Sequence, residues 1–167
     1  DVATGRRLDT FSQPLKEQSV VVFAPDGKTV AAAGADNRIR VWNVTGKALE
    51  GSNKILRTRY AHEGALLNLA YSSDGATLVS SASDRTVKIW NAATLTELHL
   101  LAKQPDWTPG IAFVGGNRLA VGRLDGTLGF YDAQSGAGIL PKAQAAGKMP
   151  TPLSKPQITR LEPRGVQ

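Results

Sequence analysis

Apolar residues along this chain come in short runs, each broken by turn residues. The clearest stretch is His62 to Asn91. It holds an apolar run from Ala65 to Tyr71, a turn at Ser73-Asp74-Gly75, a second run from Thr77 to Ser81, a turn at Asp84-Arg85, and a third run from Val87 to Trp90 closed by Asn91. An Asp-Gly pair supplies the positive φ that a tight hairpin needs, so the spacing predicts three short antiparallel strands. A fourth run, Glu97 to Leu101, completes a four-stranded meander.

The same pattern stands on both sides. Upstream are Val20 to Ala24, the turn Pro25-Asp26-Gly27, Thr29 to Ala33, Asp36, and Ile39 to Asn43; downstream are Gly110 to Phe113, the turn Gly115-Gly116, Arg118 to Val121, Asp125-Gly126, and Leu128 to Asp132. The inner runs, such as Val20-Val21-Val22-Phe23, are continuous rather than alternating, which suits a sheet covered on both faces. The outer runs are polar, as in Lys54-Ile55-Leu56-Arg57-Thr58-Arg59, and charge on an outer strand blunts an exposed edge. Small residues at 31–34 and 80–83 fit where sheets converge. Asp1, Asn43, Asn91 and Asp132 hold equivalent positions, at spacings of 42, 48 and 41 residues. Four strands per unit at that period is the signature of a β-propeller built from repeats of about 40–45 residues.

From Asp1 to about Leu140 the chain resembles the WD40-repeat family. The resemblance implies an all-β fold, a partial WD40-type propeller whose four-stranded antiparallel blades are arranged radially. It also implies a tetrad of His62, Ser80, Asp84 and Trp90, in which imidazole, hydroxyl, carboxylate and indole N–H satisfy one another inside a blade, where unpaired polar groups are costly. The first blade keeps Asp36 and Trp42 of this set, with Pro14 and Ala32 at the other positions. The third keeps Asp125 and Tyr131, with Gln104 and Val121. Both are expected to be held mainly by apolar packing.

Divided this way, 1–140 is a propeller segment, with an orphan outer strand at 6–12 and blades at about 18–60, 62–102 and 107–140. The first of these blades carries an insertion near 48–53. Propellers close with about four to eight blades, so three blades read as a fragment of a larger ring, or as a short chain that closes its ring by association. Residues 141–156 are rich in Pro, Ala, Lys and Gln, and five of the nine prolines lie beyond residue 140, the composition of a linker. Residues 157–167 resemble the first strand of a bacterial immunoglobulin-like domain of the IPT/TIG type, the alternative being a disordered tail.

Composition narrows the function classes. The absence of cysteine excludes disulfides, Cys-based zinc sites and Cys nucleophiles. No apolar run approaches the ~18 residues of a membrane-spanning helix. The net charge is +6, but five cations against one acid lie in 141–167; the repeat region has no contiguous basic footprint of the kind phosphate binding requires. No nucleic-acid partner is therefore expected. The compartment stays open: exported or periplasmic if the tail begins an immunoglobulin-like domain, cytoplasmic otherwise.

His62, Ser80 and Asp84 have the residue types of a hydrolase triad, but a triad is recognised by geometry and an accessible nucleophile, and these are the family's structural positions. No metal or cofactor is expected. The two histidines, His62 and His99, have no acidic cluster at ligand spacing, and the glycine-rich stretches lack the Lys-Ser/Thr of a phosphate loop. What remains is surface. In WD40 proteins partners bind the face made by the loops before the inner strand and between the second and third strands. Here those loops carry Glu63, Ser83, Arg85, Trp107 and Arg123, with Trp107 the leading candidate because exposed aromatics and Arg dominate interface energetics. The expected function is a non-catalytic scaffold for a protein or peptide. The alternatives are part of a propeller enzyme whose catalytic residues lie in other blades or an adjacent domain, and a secreted ligand- or glycan-binding propeller.

Overall fold

A computed structural model describes residues 3–7, 10–11, 16–44 and 53–139. Among them are eleven strands and no helix: β1 (Gln18–Phe23), β2 (Thr29–Gly34), β3 (Arg38–Asn43), β4 (Ile55–Tyr60), β5 (Leu66–Tyr71), β6 (Thr77–Ala82), β7 (Val87–Asn91), β8 (Thr96–Leu100), β9 (Gly110–Phe113), β10 (Arg118–Gly122) and β11 (Leu128–Asp132). They make three antiparallel sheets, β1–β4, β5–β8 and β9–β11, each a meander in chain order. The Asp-Gly turns have the positive φ read from the sequence, with Gly27 at 68° and Gly75 at 72°.

Contacts between sheets run through the inner strands, β1 and β2 against β5, and β5 and β6 against β9. The sheets therefore fan out from a common side, as propeller blades do. Two apolar clusters fill the seams. Ala31, Ala33, Ile39 and Val41 of the first sheet meet Leu66, Leu69, Leu78 and Trp90 of the second. Val79, Val87 and Ile89 on the opposite face of the second sheet meet Ile111, Leu119, Val121 and Tyr131 of the third. The middle sheet is buried on both faces, which is why its strands read as continuous apolar runs. Hydrogen bonds pin the seams at their inner edge: Ser19 Oγ donates to Leu66 O at 2.8 Å, Asn68 Nδ2 to Pro109 O at 2.6 Å, and Ser81 Oγ to Thr108 O at 2.6 Å.

The third sheet differs from the four-stranded expectation among the described residues. It has three strands, with a single further bridge from Tyr131 to Gly138. After Asp132 the chain spends Ala133 to Gly136 on a turn that Asp132 caps through Gln134 N, Ser135 N and Ser135 Oγ, so that among the described residues only 137–139 follow it beside β11. Of the expected outer strand at 6–12, residues 6, 7, 10 and 11 are described and lie in no strand. Pro14, the insertion, the linker and the tail lie outside the described residues.

Candidate functional site

The loops before β5 and between β6 and β7 bring His62, Ser80, Asp84 and Trp90 together. Ser80 and Trp90 sit on adjacent strands, where Leu78 pairs Trp90 and Ser80 pairs Lys88, so hydroxyl and indole share one face of the sheet. Trp90 Nε1 donates to Ser80 Oγ at 2.8 Å, and Ser80 Oγ lies 2.6 Å from His62 Nε2. His62 does not bond Asp84 directly; its Nδ1 is 3.9 Å from the carboxylate. Thr86 bridges them, with its Oγ1 2.6 Å from His62 Nδ1 and 2.5 Å from Asp84 Oδ1.

This geometry fixes the protons. A carboxylate only accepts, so the Thr86 hydroxyl donates to Asp84 and accepts from His62 Nδ1–H. His62 Nε2 then accepts from the Ser80 hydroxyl, which itself accepts the Trp90 N–H. The chain Trp90, Ser80, His62, Thr86, Asp84 carries one neutral imidazole and one carboxylate. Burial pulls the His62 pKa down to about 4, against the opposing pull of Asp84. Partial burial works against the Asp84 carboxylate, but hydrogen bonds from the Thr86 side chain and backbone, the nearby His62 and the Gly64 N–H hold its pKa below the ordinary value. Its second oxygen accepts from Glu63 N and Gly64 N at 3.0 and 3.2 Å, tying the loop to the turn. A Cβ on Gly64 would lie 2.6 Å from Asp84 N. Ser80 is 0% exposed, so its hydroxyl has no approach to a substrate.

The other blades solve the same problem differently. In the first, Ala32 stands where Ser80 stands, and Trp42 Nε1 is buried without a hydrogen-bond partner among the described residues. Asp36 is instead ion-paired to the buried Arg40. In the third, a polar network stands beside the apolar packing of Ile111, Leu119, Val121 and Tyr131. Asp125 accepts from Thr127 Oγ1 at 2.6 Å, Arg123 Nη1 donates to Thr127 at 3.1 Å, Arg123 Nε donates to Gln104 Oε1 at 2.9 Å, and the Tyr131 hydroxyl donates to the same oxygen at 3.1 Å. Arg123 is thus taken up inside the blade rather than presented to a partner. The reason is Gly129, where an added Cβ would lie 2.3 Å from Arg123 Nη2. In the other blades Arg40 and Lys88 occupy the position of Gly129. The missed residues Thr86 and Thr127 had a signal in the sequence, an Asp-x-Thr shared by two turns.

Two stretches, residues 6–43 and 53–91, match the family pattern described as WD domain, G-beta repeat. These two stretches are WD40 repeats. WD repeat-containing protein 1 of Bos taurus is 32% identical over 41% of this chain, and that of Rattus norvegicus is 33% identical over the same share. The match spans 12% of the length of each of these relatives. Among solved structures, the computationally designed Ika4 protein is 26% identical with a TM-score of 0.68, over 81% of this chain and 78% of its own. U3-55K shares the fold, at 22% identity and a TM-score of 0.70 over 77% of this chain and 40% of its own. The chain is an all-β, WD40-type propeller segment.

At the loop end of these WD40 blades, Glu63 and Arg85 are exposed and Ser83 is half-buried against Gly64. The Glu63 carboxylate accepts from Tyr60 Oη at 3.2 Å, and its carbonyl accepts from Asn37 Nδ2 at 2.8 Å. Arg85 holds a left-handed backbone, φ 67°, at the position where the third blade has Gly126, φ 84°. Its Nη1 reaches Pro105 O at 3.4 Å. Trp107 is 47% exposed beside Leu124, whose N–H donates to Trp107 O at 3.0 Å. Arg85 of the second blade thus reaches the backbone two residues before Trp107, which is tied to Leu124 of the third.

Proposed function

We propose that the chain is a non-catalytic platform that binds a protein or peptide at the loop end of the second and third blades. Trp107 and Leu124 offer the apolar contact, and Arg85 offers a guanidinium, so the preferred ligand is an extended segment with an apolar side chain next to a carboxylate. The observation that carries this reading is the exposure of Trp107 and Leu124 on hydrogen-bonded backbones, with Arg85 reaching Pro105 O two residues before Trp107. A bulky non-Gly residue at positive φ costs about 1–3 kcal/mol and such strain collects at functional sites. Glu63 and Ser83 stand at the rim. Arg123 contributes by fixing the loop from inside.

A displayed peptide library selected on the intact chain tests this. Bound peptides should pair an apolar residue with Asp or Glu, and Trp107→Ala should weaken them at least tenfold without lowering the melting temperature. Arg85→Gly should lose affinity while leaving the fold intact. Peptides indifferent to both substitutions but lost on Lys28→Ala, at the opposite end, would overturn the assignment.

A further inference from the structure

The two seams between blades are built from equivalent positions that carry different residues. On β4, Arg57 pairs with Val41 and Arg59 with Ile39, so both arginines lie on the face toward the second blade. On β8, His99 pairs with Ile89, and Leu101 N donates to Val87 O, which puts His99 and Leu101 at the same two places in the second seam. There Leu101 is 2% exposed, packed with Val87 and Ile111, and His99 Nε2 donates to Gln134 O at 2.6 Å, closing the seam. The arginines leave the first seam open. A cleft of about 170 Å³ is lined by Arg57, Thr29 and Tyr71. Further along β4 a second, of about 330 Å³, is lined by Arg59, Lys88 and Trp90.

Charge on an outer strand ordinarily faces solvent and blunts the edge; these two guanidinium groups line a seam instead. Arg57 is half-buried and Arg59 exposed, and neither makes a hydrogen bond or ion pair among the described residues. The carboxylates that line the clefts, in contrast, have donors. Asp26 accepts from Lys28 N at 2.9 Å, and Asp74 from Ser72 Oγ at 2.6 Å and Ala76 N at 3.0 Å. Glu63 accepts from Tyr60 Oη, Glu97 pairs with Lys88, and Asp84 is held by Thr86 and the loop backbone. What the clefts lack is a carboxylate for each arginine. Paired guanidinium–carboxylate hydrogen bonds are stronger than neutral ones, and a half-buried cation without a partner is costly. An extended chain carries alternate side chains on one face, about 7 Å apart, which is the arrangement of Arg57 and Arg59 on their own strand.

We infer that the mouth of the first seam takes an extended acidic segment of a partner protein, with Asp or Glu at alternate positions, one carboxylate meeting Arg57 and the next Arg59. The five carboxylates already in the clefts disfavour a polyanion such as nucleic acid, whose charges follow one another without a gap. This surface lies on the side of the blades, and the inference does not rest on the reading of Trp107 at the loop end.

The test is fluorescence anisotropy of labelled peptides on the full chain at low salt, where such pairing is least screened. A threonine-rich peptide with two glutamates at alternate positions should bind. The same peptide with its glutamates adjacent, so that they point to opposite faces, should bind at least tenfold more weakly, and the version with Gln for Glu should not bind. Arg59→Leu, which installs the residue of the second seam, and Arg57→Gln should each weaken the alternating peptide at least tenfold with an unchanged far-UV spectrum. Arg59→Glu should lose that peptide and bind one with Lys at the matching position, a rescue that a misfolded variant could not give. Trp107→Ala should leave binding unchanged. No binding of the alternating peptide, equal binding of the Gln version, or indifference to both arginines would overturn the proposal. Equally tight binding of a single-stranded oligonucleotide would overturn it in favour of nucleic acid, and loss on Trp107→Ala in favour of the loop end.

Discussion

At the residue scale, one hydroxyl separates the first two blades. Ser80 accepts the Trp90 indole N–H at 2.8 Å, while the Trp42 indole, in the corresponding place, has no acceptor among the described residues. A buried unpaired N–H costs about 1–3 kcal/mol. Ala32→Ser should therefore stabilise the chain by about 1 kcal/mol, read as a higher denaturant midpoint at unchanged slope. Trp90→Ala removes both the buried ring and its hydrogen bond and should cost about 3–5 kcal/mol. A loss below about 1 kcal/mol in the same melts would mean that the chain from Trp90 to Asp84 does not hold the blade.

At the scale of the element, each blade puts a cation and a turn aspartate near one end of its third strand, but by different routes. Arg40 pairs with Asp36, Lys88 with Glu97 at 2.8 Å and over the Trp90 ring at 5.5 Å, and Arg123 crosses Gly129 to reach Gln104. Gly129→Ala should push the guanidinium off Gln104 and Tyr131 and destabilise the third blade by about 1–3 kcal/mol. In Arg123→Ala the clash is gone, so adding Gly129→Ala there should cost little more. A double-mutant cycle reads that coupling, and additive losses would contradict it. The sequence pointed to the turn aspartates and the aromatics because their spacing repeats. It singled out Arg123 as a surface residue but hid its inward role, which depends on a missing Cβ on the neighbouring strand rather than on any motif.

At the scale of the whole molecule, stability should fall in acid. The His62 pKa is about 4 in the fold against about 6.5 for an exposed histidine. Between these values the unfolded chain binds a proton that the folded chain excludes, so stability is full above pH ~6.5 and is lost as pH falls toward 4. The shift corresponds to roughly 3 kcal/mol. Asp84, whose pKa is also lowered, adds a loss of the same sign at lower pH. Melts from pH 7 to 4 check this, and His62→Gln should flatten the slope between pH 6.5 and 4. The sequence by itself determined the eleven described strands, their turns, the repeat and the membership of His62, Ser80, Asp84 and Trp90 in one blade, because hydrophobic runs and turn chemistry act over a few residues. Only the tertiary structure decided that Thr86 stands between His62 and Asp84, that Arg123 turns inward, and that Arg57 and Arg59 line clefts in the first seam. Those outcomes depend on distances between residues far apart in the chain, which local pattern does not encode.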